Sequence, residues 1–433
     1  MTTAFGLGVV VSPPARVDIR SLLGGSKMRY FRCSPGFTLL RPRSAIALLA
    51  GFLLVAAPAG AWAVDPTPPQ LTADYIFSPS ILIQHDSYNL VYEMRLTNYA
   101  PNASTLESID AIAGSNVFSY SGTALRNLLK PVGQPVFVGT NTIVEPGQTL
   151  VVYFTLAFSA PAQIPSQIVH VLHVLSADGS LHTLQVPAIA VNPALPPIVA
   201  PPLRGSNWLA GDASHNGAPF DDVDGTIDAA HRRTVLSNFG QAFLAQRYAI
   251  DYLKYKIVNG RGETFAGPAS QNSSYFCYGE SIYNVAPGRV IEVYDELLDN
   301  IPHQKPAYAL NFVNAGGNHV IVDIGNGHYA FYAHMKPHSM PPAIKVGAFV
   351  SAGQVLGQVG NTGSSTEPHL HFHIVNGPSF LAAQGIPYEM NAFSAGTTAV
   401  VHTDPDGTLS FTGFTPLAPR TDDYPQDDAP VSF

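Results

Sequence analysis

The amino-acid sequence predicts an all-β protein, an immunoglobulin-like sandwich followed by an antiparallel β-sheet domain. Glycine and proline each occur 37 times in 433 residues, which favours short strands and turns over long helices. Segments of alternating apolar and polar residues recur, as at 88–96 and 369–373, and turn residues separate such segments. Hydrophobic residues make up 46% of the chain and charged residues 12%, so the chain can bury a large core.

The N-terminus is predicted to be an export signal with an extended leader, over residues 1–63. Arg41 and Arg43 precede the apolar run from Ser44 to Ala57, and Ala61-Trp62-Ala63 follows that run. A basic region, an apolar core and an A-x-A site in this order are typical of a cleaved secretory signal. The apolar run is short for a transmembrane helix, so we expect no integral membrane span after cleavage, with an uncleaved anchor as the alternative. The expected location is the periplasm or the extracellular space.

Four further segments follow the signal. Residues 64–191 are predicted to form the immunoglobulin-like sandwich, because strand-like segments and Pro/Gly turns alternate there at regular spacing. Residues 192–204 contain five prolines and should form a semi-rigid linker. Residues 205–393 are predicted to form the second β domain, and the tail at 394–433 is expected to be loosely ordered apart from one hairpin. The sandwich shows no cluster of titratable residues, so we expect it to be a spacer or a binding module.

Charge and cysteine content exclude some classes of function. The net charge of -8 provides no basic footprint for nucleic acid. Cys33 lies within the predicted signal, and cleavage would leave Cys277 without an intramolecular partner. We therefore expect an exported protein that does not rely on disulfides. Composition does not determine the oligomeric state.

Three alternating histidines mark the candidate functional site. Within Asn361–His373 a Gly/Ser/Thr turn is followed by His369, His371 and His373. Residues two apart in a strand project from one face, so the three imidazoles should share a face while the two apolar residues between them pack on the other. Neutral imidazole is the commonest protein ligand for zinc, which predicts a metal or catalytic site. The alternative is a polar strand face that lies against solvent.

Three segments of the second domain carry a resemblance to a known family. They are Tyr332-Ala-His334-Met335, VGAFVSAGQVLG at 346–357 and GNTGSSTEPHLHF at 360–372. Together they resemble the lysostaphin-type zinc metallopeptidases, which are peptidoglycan endopeptidases, over about residues 244–388. The resemblance implies a β-sheet hydrolase fold with the site in a groove on one sheet. It also implies Zn²⁺ as the cofactor and peptidoglycan peptides as the substrate.

The resemblance extends to individual residues. His371 matches a zinc ligand of the family, and Asp251 matches its ligand carboxylate. His334 and His369 match the two catalytic histidines, which orient or activate the water and stabilise the developing oxyanion. Zinc lowers the pKa of bound water to about 7, and imidazole titrates near that range, so this division of roles is chemically consistent.

One position departs from the pattern of the family. The first zinc ligand of the family is a histidine four residues before the aspartate, and here that position is Arg247. Arginine stays protonated and has no lone pair to donate. Asp251 and His371 would therefore leave zinc one protein ligand short of the three that are usual in catalytic sites.

Two explanations of Arg247 are open. In the first, another histidine completes the ligand set: His231 is the preferred candidate, His215 is a weaker one, and His373 lies one strand repeat, roughly 6.5–7 Å, beyond His371. In the second, Arg247 takes the place of the metal and pairs with the aspartate. The domain would then be a catalytically degenerate module that binds the cell wall or activates a hydrolase.

The expected function is thus an exported zinc metalloendopeptidase that hydrolyses peptide bonds in peptidoglycan. Its expected metal ligands are Asp251, His371 and His231, and its expected catalytic residues are His334 and His369. A general secreted protease would use the same site and differ only in its groove.

Overall fold

The computed structural model describes most of the chain after the predicted signal, namely residues 69–133, 141–214, 231–238, 240–405 and 407–433. The predicted signal peptide, with Cys33, and the candidate ligand His215 lie outside the described residues. Within those ranges, no helix has both the length and the apolar character needed to cross a membrane. Residues Pro68–Phe433 fall in one compact unit.

The N-terminal part of this unit consists of two antiparallel sheets. Its elements in chain order are β1 (Leu71–Tyr75), β2 (Ser80–Gln84), β3 (Ser87–Asn98), β4 (Ser104–Ala113), β5 (Asn116–Ser121), α1 (Gly122–Leu128), β6 (Leu129–Pro131), β7 (Ile143–Val144), β8 (Thr149–Phe158), β9 (Gln167–Ser176) and β10 (Leu181–Ala190). One sheet has the order β1-β3-β8-β6, with β2 on β3. The other has the order β10-β9-β4-β5, with β7 on β4.

Strand β3 is buried on both of its faces. Its even-numbered residues from Leu90 to Leu96 pack in the core between the two sheets, as their alternation predicts. The odd-numbered Asn89, Val91 and Glu93 are also buried. Val91 belongs to the hydrophobic core of the C-terminal part. The outer face of β3 around Val91 and Glu93 is therefore covered by another part of the chain and not by solvent.

The C-terminal part is built almost entirely from strands. They are β11 (Ile198–Val199), β12 (Trp208–Gly211), β13 (Leu236–Asn238), β14 (Gln241–Phe243), β15 (Ile250–Lys254), β16 (Lys256–Val258), β17 (Arg261–Glu263), β18 (Ser281–Tyr283), β19 (Gly288–Tyr294), β20 (Asn318–Gly325), β21 (His328–Met335), β22 (Phe349–Val350), β23 (Val355–Gln358), β24 (Leu370–Val375), β25 (Glu389–Met390), β26 (Phe393–Ala395), β27 (Val400–Thr403), β28 (Leu409–Thr412), β29 (Ala418–Arg420) and β30 (Ala429–Ser432).

A ten-stranded antiparallel sheet organises this part, in the order β22-β19-β20-β21-β24-β15-β12-β30-β26-β29. Strands β20 and β21 are joined at Asn326-Gly327. Both residues have left-handed backbones, with φ of 56° and 74°, as a type I′ hairpin requires. The Asn-Gly dipeptide is the strongest short-range sequence signal of such a hairpin. The predicted all-β class is confirmed for the residues that the structure describes.

Two segments differ from expectation. The sequence of residues 246–253 is typical of a strand, but β15 begins at Ile250. Residues 244–249 form turns in which the Arg247 amide donates to the Leu244 carbonyl at 3.2 Å. The tail at 394–433 is not loosely ordered. Its last strand, β30, pairs with both β12 and β26, because alternate residues such as Val431 are fully buried in the main core. Threonine, proline and aspartate content does not reveal that burial.

The predicted linker at 192–204 is partly built into the C-terminal part. Strand β11 pairs in parallel with β25. Val199 and Leu203 are buried in the main core. Proline-rich composition predicts the extended backbone of this segment, but it does not predict that Val199 and Leu203 are buried.

Candidate metal centre

Three neighbouring strands of the ten-stranded sheet assemble the candidate site. Strand β24 carries His371, and β15 places Asp251 directly opposite it in antiparallel register. On the other side, β21 pairs Ala333 with His371, so the next residue, His334, lies beside the same position. The register of the sheet therefore brings together residues that are up to 120 positions apart in the chain.

The alternation of the histidine strand is confirmed. His369, His371 and His373 are 7%, 1% and 0% exposed. The two apolar residues between them are fully buried in the main core on the opposite face. The alternative of a histidine face against solvent is thus wrong.

The three expected metal ligands lie close together. His371 Nδ1 lies 2.9 Å from Asp251 Oδ1, and His231 Nε2 lies 3.5 Å from Asp251 Oδ2. One nitrogen or oxygen atom from each of the three residues lies within 4.8 Å of the others. Ligands at 2.0–2.1 Å from a tetrahedral zinc are separated by about 3.3 Å. Two imidazoles and a carboxylate at these distances fit such an ion.

His231 is oriented by Asp212. Its Nδ1 lies 3.1 Å from the Asp212 carbonyl oxygen, and its backbone amide donates to Asp212 Oδ2 at 3.3 Å. A carbonyl oxygen only accepts, so Nδ1 carries the proton and Nε2 keeps a lone pair on the side of Asp251. A partner on the second ring nitrogen is typical of histidines that bind metals.

His373 supports His371 from behind. His371 Nε2 lies 2.8 Å from His373 Nδ1, so a proton on His371 Nε2 leaves its Nδ1 free for a metal. The His373 ring is stacked on Phe331 and Phe380, with centroid distances of 5.2 and 5.4 Å. His373 is therefore neither a surface residue nor part of the cluster around Asp251.

His334 and His369 form a pair next to this cluster. Their ring centroids are 4.8 Å apart. His334 Nδ1 donates to the Thr362 carbonyl at 2.7 Å, and His369 Nδ1 donates to the Glu367 carbonyl at 2.8 Å. Each ring thus keeps Nε2 for other partners, and His369 Nε2 lies 3.3 Å from Asp251 Oδ2. His334 has a left-handed backbone, φ 59°, an uncommon conformation for a residue other than glycine.

Burial and mutual charge set the protonation states. Burial raises the pKa of Asp251, but His369 and His231 outweigh it and hold that pKa well below its usual value. Burial lowers the pKa of His371 to about 4, so this ring is neutral as a metal ligand must be. Burial and then His369 hold the pKa of His334 well below its usual value. Burial lowers the pKa of His369 itself, but Asp251 reverses the effect and the net shift is upward.

Arg247 does not enter the candidate metal position. Its Nη2 and Nε donate to Glu93 Oε2 at 2.7 and 2.9 Å, and the two side chains are 1% and 0% exposed. The ion pair with Asp251, which the degenerate-site explanation expects, is replaced by a pair with Glu93 on β3. The turn at 244–249 aims the arginine at the sandwich.

Two residues around the site, Asp212 and Glu93, cannot be recognised from the sequence. A charged residue within a β strand is unremarkable when one face is expected to meet solvent, so Glu93 carries no distinguishing signal. Asp212 directly follows β12 and resembles an ordinary turn residue. Only the fold reveals their partners.

Comparison with known proteins adds independent information on this domain. Residues 275–382 match the model of peptidase family M23. The chain is 41% identical to lysostaphin of Staphylococcus simulans over 71 residues, which cover 16% of this chain and 14% of lysostaphin. It is 39% identical to the peptidoglycan DD-endopeptidase ShyA of Vibrio cholerae over 59 residues, or 14% and 13% of the two chains. Each match thus spans a small part of the relative.

Among solved structures, the catalytic domain of lysostaphin from Staphylococcus simulans is 27% identical and has a TM-score of 0.19. That match covers 30% of this chain and 88% of that domain. The family match includes His334, His369 and His371, and it begins after His231 and Asp251. Residues 275–382 of this chain are thus similar to peptidase family M23, and a segment of the chain is similar to lysostaphin.

Proposed function

We propose that this chain is an exported zinc metalloendopeptidase that hydrolyses peptide bonds in peptidoglycan. His231, Asp251 and His371 would hold the zinc ion. The observation that carries the proposal is the convergence of one ligand atom from each of these residues within 4.8 Å, beside two further buried histidines. The export step rests on the signal predicted from the sequence.

The substrate class is supported by the relatives. One of them is a glycyl-glycine endopeptidase, ALE-1 of Staphylococcus capitis, which is 43% identical over 58 residues. Another is the peptidoglycan DD-endopeptidase ShyA. Because these matches cover 15% and 13% of those proteins, they support the chemistry of the shared segment. They do not define which peptide bond this chain cleaves.

The residues of the site have distinct tasks in such a reaction. Zinc would supply Lewis acidity for the scissile carbonyl and a lowered pKa for water. Asp212 and His373 would hold the imidazoles of His231 and His371 in the tautomers that leave a lone pair for the metal. His334 and His369, each fixed through Nδ1, would use Nε2 to accept and return a proton and to stabilise the oxyanion.

Metal analysis of the purified mature protein tests the proposal. We expect about one zinc per chain and release of peptidoglycan fragments that stops when a chelator removes the metal. His231→Ala should lose both the bound zinc and the activity, since two protein ligands remain. His402→Ala is the matched control, because His402 lies on β27 in a separate sheet with β16, β17 and β28.

The outcomes separate the competing interpretations. If the wild-type protein stays metal-free after growth with ample zinc, the proposal of a zinc enzyme is rejected. Zinc content that is unchanged in His231→Ala would reject His231 as a ligand but would not contradict the proposed enzymatic function. Casein hydrolysed as fast as peptidoglycan would favour a general protease.

A further inference from the structure

The two residues after His231 are anchored on the N-terminal sandwich. Arg232 Nη2 donates to the Phe154 carbonyl at 2.6 Å, and its Nη1 donates to Thr155 Oγ1 at 2.8 Å. Both acceptors belong to β8. The Arg232 side chain is 3% exposed, so these bonds form away from water. Buried charge-assisted bonds of this kind are among the strong ones in proteins.

Arg233 inserts into the same sandwich beside Arg232. Its Nη2 donates to the Asn127 carbonyl in α1 at 2.8 Å, and its guanidinium carbon lies 4.6 Å from the centroid of the Tyr153 ring. The Lys130 ammonium on β6 donates to the Arg233 backbone carbonyl. Main chain and side chain of this residue are thus both held by the sandwich.

Glu93 connects this anchor to the position of the missing family ligand. Its carboxylate accepts from Arg247 at 2.7 and 2.9 Å and lies 3.5 Å from Arg232 Nε. Glu93 is fully buried, so it is an anion shared by two buried cations. Arg247 occupies the position of a zinc ligand in the family pattern. Here it belongs to the group of buried charges, with Glu93 and Arg232, that holds the backbone next to His231.

The position of the His231 backbone matters because a metal site accepts only small errors in the distance from ligand to metal. Zinc ligands must sit within about 0.2 Å of their ideal distances. Consecutive Cα atoms are about 3.8 Å apart, so a displaced Arg232 moves His231 with it. Asp212 fixes the rotation of the His231 ring and accepts a hydrogen bond from its amide, and the two arginines that follow tie the same backbone to the sandwich.

We propose that the N-terminal sandwich completes the metal centre, with Glu93 as a positioning residue that acts on zinc through His231. This proposal rests on the proposed function. The sandwich is then a component of the catalytic site and not the spacer or binding module that its sequence suggests. In this proposal, His231 replaces the family's histidine at position 247 as a zinc ligand, and the N-terminal sandwich holds His231 in place.

The test compares Glu93→Gln, Glu93→Asp and Asp423→Asn in the full mature chain. Asp423→Asn is the matched control: Asp423 Oδ1 accepts from the His85 amide of the sandwich at 2.9 Å, so it is another buried carboxylate between the same two parts. Zinc affinity is measured by competition with a chelator, and ligand geometry by the visible absorption of Co²⁺.

We expect Glu93→Gln to weaken zinc binding by about 10–100-fold and to alter the Co²⁺ spectrum, as loss of a supporting partner does at other metal sites. Glu93→Asp, which retains the charge, should recover part of the affinity. Asp423→Asn should leave the affinity unchanged.

If Glu93→Gln does not fold, Thr155→Val replaces it, since this near-isosteric change removes one hydrogen bond of Arg232. A smaller loss of zinc affinity is then expected. Wild-type zinc affinity in these variants would overturn the positioning role, and the peptidase assignment would survive. A wild-type chain without zinc would overturn both.

Discussion

The buried pair between Arg247 and Glu93 yields a quantitative prediction for stability. Arg247→Met leaves the Glu93 carboxylate buried without its main partner. The carboxylate then keeps the 3.5 Å contact with Arg232 Nε and loses three contacts of 2.7–3.1 Å. Removal of one partner from a buried ion pair costs about 3–5 kcal/mol. We expect a value near 3 kcal/mol, because Arg232 remains.

The second substitution should recover most of this loss. In Arg247→Met/Glu93→Leu no anion is left without its partner, and apolar replacement of a buried pair is close to neutral. Arg232 loses its 3.5 Å contact with Glu93 and keeps its hydrogen bonds to Phe154 and Thr155. A residual cost of about 1–2 kcal/mol is expected, since the Gly385 carbonyl and Gln384 Oε1 each lose a bond from Arg247 of 3.2 Å.

Urea unfolding of the mature chain measures both variants. A chelator is present throughout, so that metal binding does not contribute to the free energy of unfolding. Fluorescence and circular dichroism are followed together, because a chain with two cores can unfold in two steps. A loss below 1 kcal/mol in the single variant, or additive losses in the double variant, would refute this account of the pair.

Two further predictions concern the histidine strand. Burial raises the pKa of Glu367 from 4.5 to about 8, so the unfolded chain loses this proton at a lower pH than the folded chain, and stability falls as pH rises from about 4.5 to 8. In the presence of a chelator, Glu367→Gln should reduce the pH dependence of the melting temperature across that window. An unchanged slope would contradict this prediction. His373→Gln should lower zinc affinity by about 10–100-fold through His371, read by chelator competition, and equal affinity would show that His373 only fills space.

Local pattern predicts much of the fold. The alternation in β3 and β24, the Asn326-Gly327 hairpin and the shared face of His369 and His371 follow from periodicity and turn chemistry. These features depend on residues that are near one another in sequence. The assignment of His334 and His369 to catalysis remains a prediction.

The rest depends on contacts that periodicity does not encode. The odd-numbered face of β3 has the polarity of a solvent-exposed face, and Glu93 is buried only because another part of the chain covers it. The sequence leaves open whether Arg247 points at Asp251 or away from it, because its partner lies 154 residues upstream. The order of the tail was missed for the same reason, since β30 pairs with β12.

That separation of 154 residues has a consequence for the order in which the protein matures. Contacts between distant parts of a chain form late in folding, since loop-closure entropy opposes them until local structure is in place. Arg247 and Glu93 can meet only after β3 has joined its sheet and the turn before β15 has formed. Under the proposed function, a chain that is still folding lacks a complete set of zinc ligands, and hydrolysis begins only when both parts have been assembled.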